Sequence, residues 1–193
     1  MHRMLIVVIS VLVFSSISLS QVGIGVSGGL LHPGIYKSEQ SESQFNLAWG
    51  YELFFRHDLV HISDSFTVDA RYEYRYYKTT IELPFVLDTW FKFKYLTVDF
   101  LAEFAASEQL NWYFGVGGSL VSVNAEKDFF YYTESIFIPE ILLGGGWQIH
   151  TNYNIFSELS FQFGTLNNVL EESIPVSGFR FILGATMFLN SIE

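Results

Sequence analysis

Hydrophobic and polar residues alternate with a period of two along most of the chain, and residues 65–77 (SFTVDARYEYRYY) show this pattern without a break. One set of positions is apolar or aromatic, and the other carries Asp69, Arg71, Glu73 and Arg75. Such alternation predicts a β-strand with two chemically different faces. A soluble sandwich would bury the aromatic face, whereas a membrane barrel would turn it to lipid and enclose the charges.

The same alternation recurs in seven other segments that are separated by polar or glycine-containing turns. These segments predict strands at 22–31, 44–56, 80–91, 110–123, 137–150, 155–164 and 176–189, in addition to 65–77. The fold class is therefore all-β, a single antiparallel up-and-down transmembrane β-barrel of eight strands. Residues 92–109 are assigned to an irregular connection; the alternative is two extra strands and a ten-stranded barrel.

The lengths of the predicted connections indicate which end of the barrel is extracellular. Loops at 32–43, 124–135 and 165–175 fall at one end, and the turn at 151–154 and the connection at 57–64 fall at the other. Long extracellular loops and short periplasmic turns are typical of outer-membrane barrels. Lys78 and Thr79 are predicted to form a two-residue loop that sets Arg75 opposite Glu82, and Pro84 is interpreted as a local irregularity in the next strand.

Composition favours the membrane alternative. The chain is 18% aromatic and 50% hydrophobic, with a mean hydropathy of +0.28, yet it has no second long apolar run after the N-terminus. A barrel explains both facts, because each strand needs only about 9–11 residues and only alternate residues must be apolar. A soluble β-sandwich or lipocalin-like binding barrel, with the aromatic face as its core, is the alternative.

The N-terminus has the three parts of a secretory signal peptide. Arg3 supplies positive charge, residues 4–14 are apolar, and small polar residues follow up to Ser20. We therefore predict a cleaved signal peptide at 1–20 and a barrel domain at 21–193. The chain contains no cysteine, so its stability in an oxidising compartment must come from a source other than disulfides.

The formal net charge is −10, from 10 basic and 20 acidic residues. This balance disfavours nucleic acid and anionic membrane surfaces as partners. We interpret the acidity as a means of keeping the loops and the unfolded chain soluble.

Inward-facing charges on successive predicted strands form the main candidate site. This lumen charge cluster comprises Glu52, Arg56, Asp69, Arg71, Glu73, Arg75 and Glu82. Residues two apart on a strand are about 6.8 Å apart, so each arginine can be shared among flanking carboxylates. We expect a salt-bridged plug, because side chains just fill an eight-stranded barrel; the alternative is a polar conduit or a small-ligand site.

Aromatic residues on the opposite face suit the two membrane interfaces, where tyrosine and tryptophan are enriched. These lipid-interface aromatics are Trp49, Tyr51, Tyr72, Tyr74, Tyr76, Trp90, Trp112 and Trp147.

An enzymatic function has weak support. His61 and Ser63, with Glu73 further along, form an H-x-S pattern that would suit a lipid-modifying outer-membrane enzyme. The pair falls in a connection at the periplasmic end, away from outer-leaflet lipid, so the geometry disfavours this alternative. His32, His57 and His150 are scattered along the chain. We therefore predict no catalytic, cofactor-binding or metal site.

Three segments carry a family resemblance: residues 81–91 (IELPFVLDTWF), 111–120 (NWYFGVGGSL) and 178–189 (GFRFILGATMFL). They resemble the small bacterial outer-membrane β-barrel domains of the porin-like or PorT-like group. The resemblance implies one barrel in the outer membrane, inserted after periplasmic transit. Its expected partners are outer-membrane lipid and, in transit, periplasmic chaperones and the barrel-insertion machinery. We expect a monomer with a structural, interaction or limited small-solute transport role.

Overall fold

The computed structural model describes residues 22–37, 42–44, 46–63, 65–81, 89–127, 130–169 and 172–189. The predicted signal peptide lies outside these residues, as do Glu82 and Pro84. The described strands are β1 (Val22–His32), β2 (Ile35–Lys37), β3 (Glu42–Gln44), β4 (Ala48–Ser63), β5 (Phe66–Ile81), β6 (Thr89–Ala105), β7 (Leu110–Lys127), β8 (Phe130–His150), β9 (Tyr153–Gln162), β10 (Thr165–Val169), β11 (Glu172–Pro175) and β12 (Gly178–Leu189).

Eight of these strands close into an antiparallel barrel in the order β1-β12-β9-β8-β7-β6-β5-β4. Closure occurs at β1, which pairs with β12 on one side and with β4 on the other. Within the barrel each strand pairs with the one that follows it along the chain, as in an up-and-down barrel. The eight-stranded prediction is confirmed, and the ten-stranded alternative is wrong.

The two ends of the barrel differ in their connections. Short turns join β4 to β5, β6 to β7 and β8 to β9 at the end where β1 begins and β12 finishes. At the opposite end, the segments after β1 and β9 form a second sheet in the order β10-β11-β2-β3, which we call the loop sheet. In outer-membrane barrels short turns are periplasmic and longer loops are extracellular. We name the two ends of this barrel accordingly, with the loop sheet at the extracellular end.

The predicted loop at Lys78 and Thr79 is wrong. Both residues belong to β5, where Lys78 pairs with Lys92 and Thr79 with Phe91. The described ends of the predicted strand at 80–91 belong to different strands, since β5 runs to Ile81 and β6 begins at Thr89. Arg75 pairs with Tyr95 of β6. Two polar residues were interpreted as a turn, although a strand can carry such residues where it passes the membrane interface.

The irregular connection predicted at 92–109 is also wrong, because β6 runs to Ala105 and only 106–109 form a turn. The alternation of Leu96, Val98 and Phe100 with Thr97 and Asp99 was the valid signal. With β6 restored, the turns before and after it lie at opposite ends of the barrel. The loop predicted at 124–135 is wrong, because β7 runs to Lys127 and β8 begins at Phe130.

The predicted connection at 57–64 is largely strand, since β4 continues to Ser63. Its pairing register with β5 shifts between Asp58 and Val60 and again between His61 and Ser63. Each shift adds a residue to one strand and interrupts the period-two pattern. These bulges explain why the sequence pattern appears to stop at residue 56.

Side chains separate cleanly between the lumen and the outer face. Leu96, Trp49 and Phe137 are among many large apolar residues on the outside, with 60%, 66% and 68% of their surface exposed. Soluble monomers rarely expose an apolar surface of this extent, and a soluble barrel would carry these residues inside. No helix in the described part of the chain is long and apolar enough to cross a membrane.

Candidate functional site

The lumen is the candidate site, and its middle is filled by charged side chains that we call the central network. Its members lie on six strands and are each at most 4% exposed: Glu52, Arg71, Glu73, Arg75, Asp99, Glu140, Glu158 and Arg180. Charges this deeply buried must be paired, because the desolvation of an isolated ion costs many kcal/mol.

Arg75 shows how the pairing is achieved. Its two terminal nitrogens donate to the two oxygens of Glu140, each at 2.7 Å, in the bidentate geometry that suits a guanidinium. One of these nitrogens also donates to Asp99 at 3.2 Å, and the Nε contacts Glu73. One arginine therefore joins carboxyl groups from β5, β6 and β8.

Arg71, four residues earlier on β5, and Arg180 of β12 repeat this arrangement. Arg71 donates to Glu158 at 2.6 and 3.1 Å and to Asp99 at 3.1 Å. Arg180 donates to Glu52 and, at 2.7 Å, to Glu158. The three guanidiniums therefore share carboxyl groups, so that no pair in the central network is isolated.

Neutral side chains extend the network to the remaining barrel strands. The Ser27 hydroxyl of β1 donates to Glu52 at 2.7 Å, and the Tyr113 hydroxyl of β7 donates to Glu158 at 3.1 Å. With these two residues, every strand of the barrel contributes a side chain to one connected set of polar contacts. The network thus joins the barrel wall across the lumen as well as along the sheet.

Small residues make room for this filling. A Cβ atom on Gly117 would collide with the Asp99 carboxylate, and one on Gly25 would collide with the Phe54 ring. Gly25, on the inner face of β1, therefore admits a large side chain from the neighbouring strand.

An apolar layer closes the lumen on the extracellular side of the central network. It comprises Leu31, Ala48, Tyr77, Phe91, Phe93, Tyr95, Val121, Val123, Ile138 and Val176, each at most 2% exposed. Tyr77 joins the two levels, because its ring packs edge-on against Tyr95 and its hydroxyl donates to Glu52 at 2.7 Å. Water and ions that enter from the extracellular side therefore meet a packed apolar barrier before any charge.

The periplasmic end of the lumen is more open. Arg56 bridges Asp69 and Glu103, and the Asn111 amide also donates to Glu103. These residues adjoin a vestibule of about 280 Å³ at the barrel mouth, lined in part by Glu103, Asn111 and Asn154. Beyond it, a cavity of about 10 Å³ reaches Arg71. That volume suits about one water molecule.

Six of the seven members of the predicted lumen charge cluster are described, and all six are buried in the lumen. Glu52, Arg71, Glu73 and Arg75 belong to the central network, whereas Arg56 and Asp69 form the separate periplasmic group. The seventh, Glu82, lies outside the described residues.

Sequence reasoning omitted four members of the network. Three of them, Glu140, Glu158 and Arg180, lie at inward positions of predicted strands. The period-two alternation of those strands was therefore enough to assign these residues to the lumen. Asp99 was lost because its strand was assigned to a connection. The predicted cluster was drawn from strands that are consecutive in sequence. The contacts across the lumen also involve residues that are distant in sequence.

The predicted lipid-interface aromatics lie on the outer face. Trp49, Tyr51, Trp90, Trp112 and Trp147 are between 42% and 66% exposed, whereas Tyr72, Tyr74 and Tyr76 are half-buried among their neighbours. Tyr51 and Tyr76 are cross-strand partners with stacked rings 5.6 Å apart. Trp49 and Trp90 lie toward the extracellular end, and Trp112 and Trp147 lie toward the periplasmic end.

The residues of the H-x-S pattern are not brought together with Glu73. His61 and Ser63 are exposed near the periplasmic turn, while Glu73 is buried in the central network. Thr67, which pairs with His61, precedes Glu73 by six positions on β5, a separation of roughly 20 Å along a strand.

The scattered histidines contact aromatic rings. His32 stacks on Phe179 at 5.3 Å, His57 lies 5.8 Å from the Tyr72 ring, and His150 lies 5.9 Å from Tyr153. Within the described residues, no group of three or more His, Cys, Asp or Glu side chains is arranged to hold a metal ion.

Comparison with known proteins relates the fold to solved outer-membrane proteins. Neisserial surface protein A is similar with a TM-score of 0.60 at 12% identity, over 87% of this chain and 96% of that one. OprG from Pseudomonas aeruginosa gives a TM-score of 0.56 at 9% identity, over 89% and 96%. Ail, the attachment invasion locus protein of Yersinia pestis, solved with the heparin analogue sucrose octasulfate, gives 0.54 at 16% identity, over 88% and 97%.

No protein-family model and no curated protein sequence matches the chain. At identities this low, structural similarity establishes the fold and leaves the molecular function open. The chain has the fold of the small eight-stranded outer-membrane β-barrels.

Proposed function

We propose that the protein is an outer-membrane barrel with a sealed lumen, whose function is structural or interactive and is carried out by its extracellular face. In this proposal the signal peptide at 1–20 directs export, and the apolar outer face contacts lipid. The barrel carries out no catalysis and forms no open pore.

The observation that carries the proposal is the continuous filling of the lumen. The apolar layer and the central network lie one above the other, and the side chains of both are almost completely excluded from solvent. A conducting pore needs a continuous aqueous path, and an eight-stranded barrel with large inward side chains leaves none. Function is therefore assigned to the surfaces outside the membrane.

The loop sheet is the extracellular feature with its own fold. Its pairing joins the segment after β1 to the segment after β9, because Ser173 of β11 pairs with Lys37 of β2. Backbone pairing between two loops holds both in a defined arrangement over the barrel mouth. A fixed platform requires less ordering on binding than two independent loops would, which favours recognition.

The charge of this platform limits its partners. Residues 33–47 and 165–177 together contain one lysine and four glutamates. Ail was solved with a sulfated heparin analogue, but a net negative platform repels a sulfated polysaccharide. A neutral or basic partner surface fits this chain better.

Single-cysteine labelling tests the location and direction of the barrel, because the chain has no native cysteine. Lys37→Cys lies in the loop sheet, and Glu108→Cys lies in the turn between β6 and β7. In intact cells a membrane-impermeant maleimide should label Lys37→Cys only. Glu108→Cys should be labelled only after the outer membrane is permeabilised; the reverse pattern, or equal labelling of both in intact cells, would reject the proposal.

Limited transport of small solutes is the second candidate. The periplasmic vestibule and the small cavity beside Arg71 favour it, since together they bring water-sized space to the central network. The apolar layer opposes it, because a solute would have to displace packed rings to pass. Flux of a small polar solute into proteoliposomes would favour transport over the sealed barrel.

A further inference from the structure

We propose that three lysines at the extracellular rim of β5 and β6 form a binding site for the phosphate headgroup of an outer-leaflet glycolipid. We call Lys78, Lys92 and Lys94 the rim patch. This inference rests on the proposed outer-membrane location and adds a specific ligand to the outer face of the barrel.

The rim patch has a distinct place in the charge distribution. The four arginines of the barrel strands, Arg56, Arg71, Arg75 and Arg180, are all buried in the lumen. Among the side chains described on the outer face, the three lysines of the rim patch are the only ammonium, guanidinium or carboxylate groups. The chain as a whole is acidic, so this surface has the opposite sign to the net charge.

The pairing register concentrates the three charges. Lys78 and Lys92 are direct cross-strand partners, and Lys94 is two residues further along β6 on the same face. Directly opposed side chains have Cβ atoms about 5 Å apart, and like charges in this position are destabilising. A phosphate placed between the ammonium groups would be attracted by all three of them.

The height of the patch matches the lipid headgroups. On β6 the outer face is apolar from Phe104 to Leu96, and Lys94 is the next outward residue. Trp49 and Tyr76, two of the predicted interface aromatics, are the β4 and β5 neighbours at this level. The lysines therefore begin where the apolar band ends, at the depth of the headgroups.

One lysine of the patch is already positioned. The Lys78 ammonium lies 3.8 Å from the centre of the Trp90 ring, a cation–π contact that holds the charge at the rim. Lys94 is exposed and Lys78 and Lys92 are half-buried, so the ammonium groups combine access with support from the barrel wall. The nearest acidic position in the register is Glu126 of β7, which pairs with Trp90.

The net negative charge of the chain as a whole has little effect at this site, because screening limits each charge to a range of about 8 Å at physiological salt. The glutamates of the loop segments therefore repel a bound headgroup less strongly than the adjacent lysines attract it. Lysine ammonium groups bind phosphate as point charges and do not require the planar geometry that arginine imposes.

Native mass spectrometry of the folded, detergent-solubilised barrel tests the proposal. The probes are diphosphorylated lipid A, lipid A with the same acyl chains and no phosphate, and inorganic phosphate alone. The wild-type protein should bind the diphosphorylated lipid about tenfold or more tightly than the dephosphorylated one, and inorganic phosphate should compete only at high concentration. Equal binding of the two lipids would overturn the proposal.

Matched variants assign the effect to the rim patch. The triple variant Lys78→Gln, Lys92→Gln and Lys94→Gln should lose the preference for phosphate, whereas arginine at the same three positions should retain it. The double variant Lys37→Gln and Lys127→Gln removes two extracellular lysines outside the patch and should bind as the wild type does. Retention of the preference by the triple glutamine variant would contradict the assignment.

Folding is monitored separately, by the mobility difference between boiled and unboiled protein on a detergent gel. If the triple variant does not fold, Lys92→Gln with Lys94→Gln preserves the Lys78–Trp90 contact and should still weaken phosphate-dependent binding. A wild-type chain that shows no folded form in detergent would contradict the proposed barrel itself. A folded chain that ignores phosphate would contradict only the rim patch.

Discussion

At the scale of single residues, the arginines of the lumen have the largest expected energetic role. Arg75 is fully buried and contacts Glu73, Asp99 and Glu140. Arg56 also bridges two carboxylates, but one of them, Glu103, lines the periplasmic vestibule, and its side chain is 16% exposed. The same residue type therefore occupies a dry site and a site that water can reach.

Replacing Arg75 with methionine should destabilise the barrel by about 3–5 kcal/mol, because three carboxyl groups lose their shared partner in a dry environment. Urea unfolding in lipid vesicles, followed by tryptophan fluorescence, measures this change. Arg56→Met is the matched control, and its cost should be clearly smaller because water in the vestibule can solvate Glu103. Equal costs for the two variants would show that the central network is not the main electrostatic support of the lumen.

At the scale of the strand, alternation was the part of the structure that the sequence could predict. The inward or outward position of Trp49, Glu52, Leu53 and Phe54 follows from period-two parity alone. The strand ends were harder to predict. Polar outer-face residues at the rim, such as Lys78, resemble turn residues in sequence, and the bulges near Val60 shift the parity without any glycine or proline to mark them.

Contacts between strands distant in sequence were beyond prediction for a different reason. Alternation assigns a face to each residue, but it contains no information on which carboxylate an arginine reaches across the lumen. The contact of Arg180 with Glu52 of β4 depends on closure of the barrel between β12 and β1. Only the three-dimensional register supplies that information.

The outer face of β7 supports a prediction at this scale. Val116 is 48% exposed and pairs with Phe100 in the middle of the apolar band. Val116→Arg should cost about 2–4 kcal/mol in vesicles, because the charge would face the centre of the bilayer. Ile149→Arg, next to the periplasmic turn after β8, should cost about 0–1 kcal/mol. Similar costs at the two positions would contradict the assigned membrane depth.

At the scale of the whole molecule, three levels fill the lumen from the extracellular to the periplasmic side: the apolar layer, the central network and the Arg56 group with its vestibule. The first two exclude water, and the third admits it. Because the interior of the barrel is closed, the surfaces left for binding other molecules are the loop sheet and the lipid-facing outer face. This division is the basis for the proposed scaffold function.

The central claim is that the lumen is sealed, and electrical recording from the purified protein in planar bilayers tests it most directly. Insertion is verified first by the boiled and unboiled gel mobility of protein recovered from the same vesicles, and a general porin at the same protein-to-lipid ratio serves as the positive control. The sealed lumen predicts no steady conductance above that of the lipid alone. Large, stable and reproducible single-channel steps would contradict it.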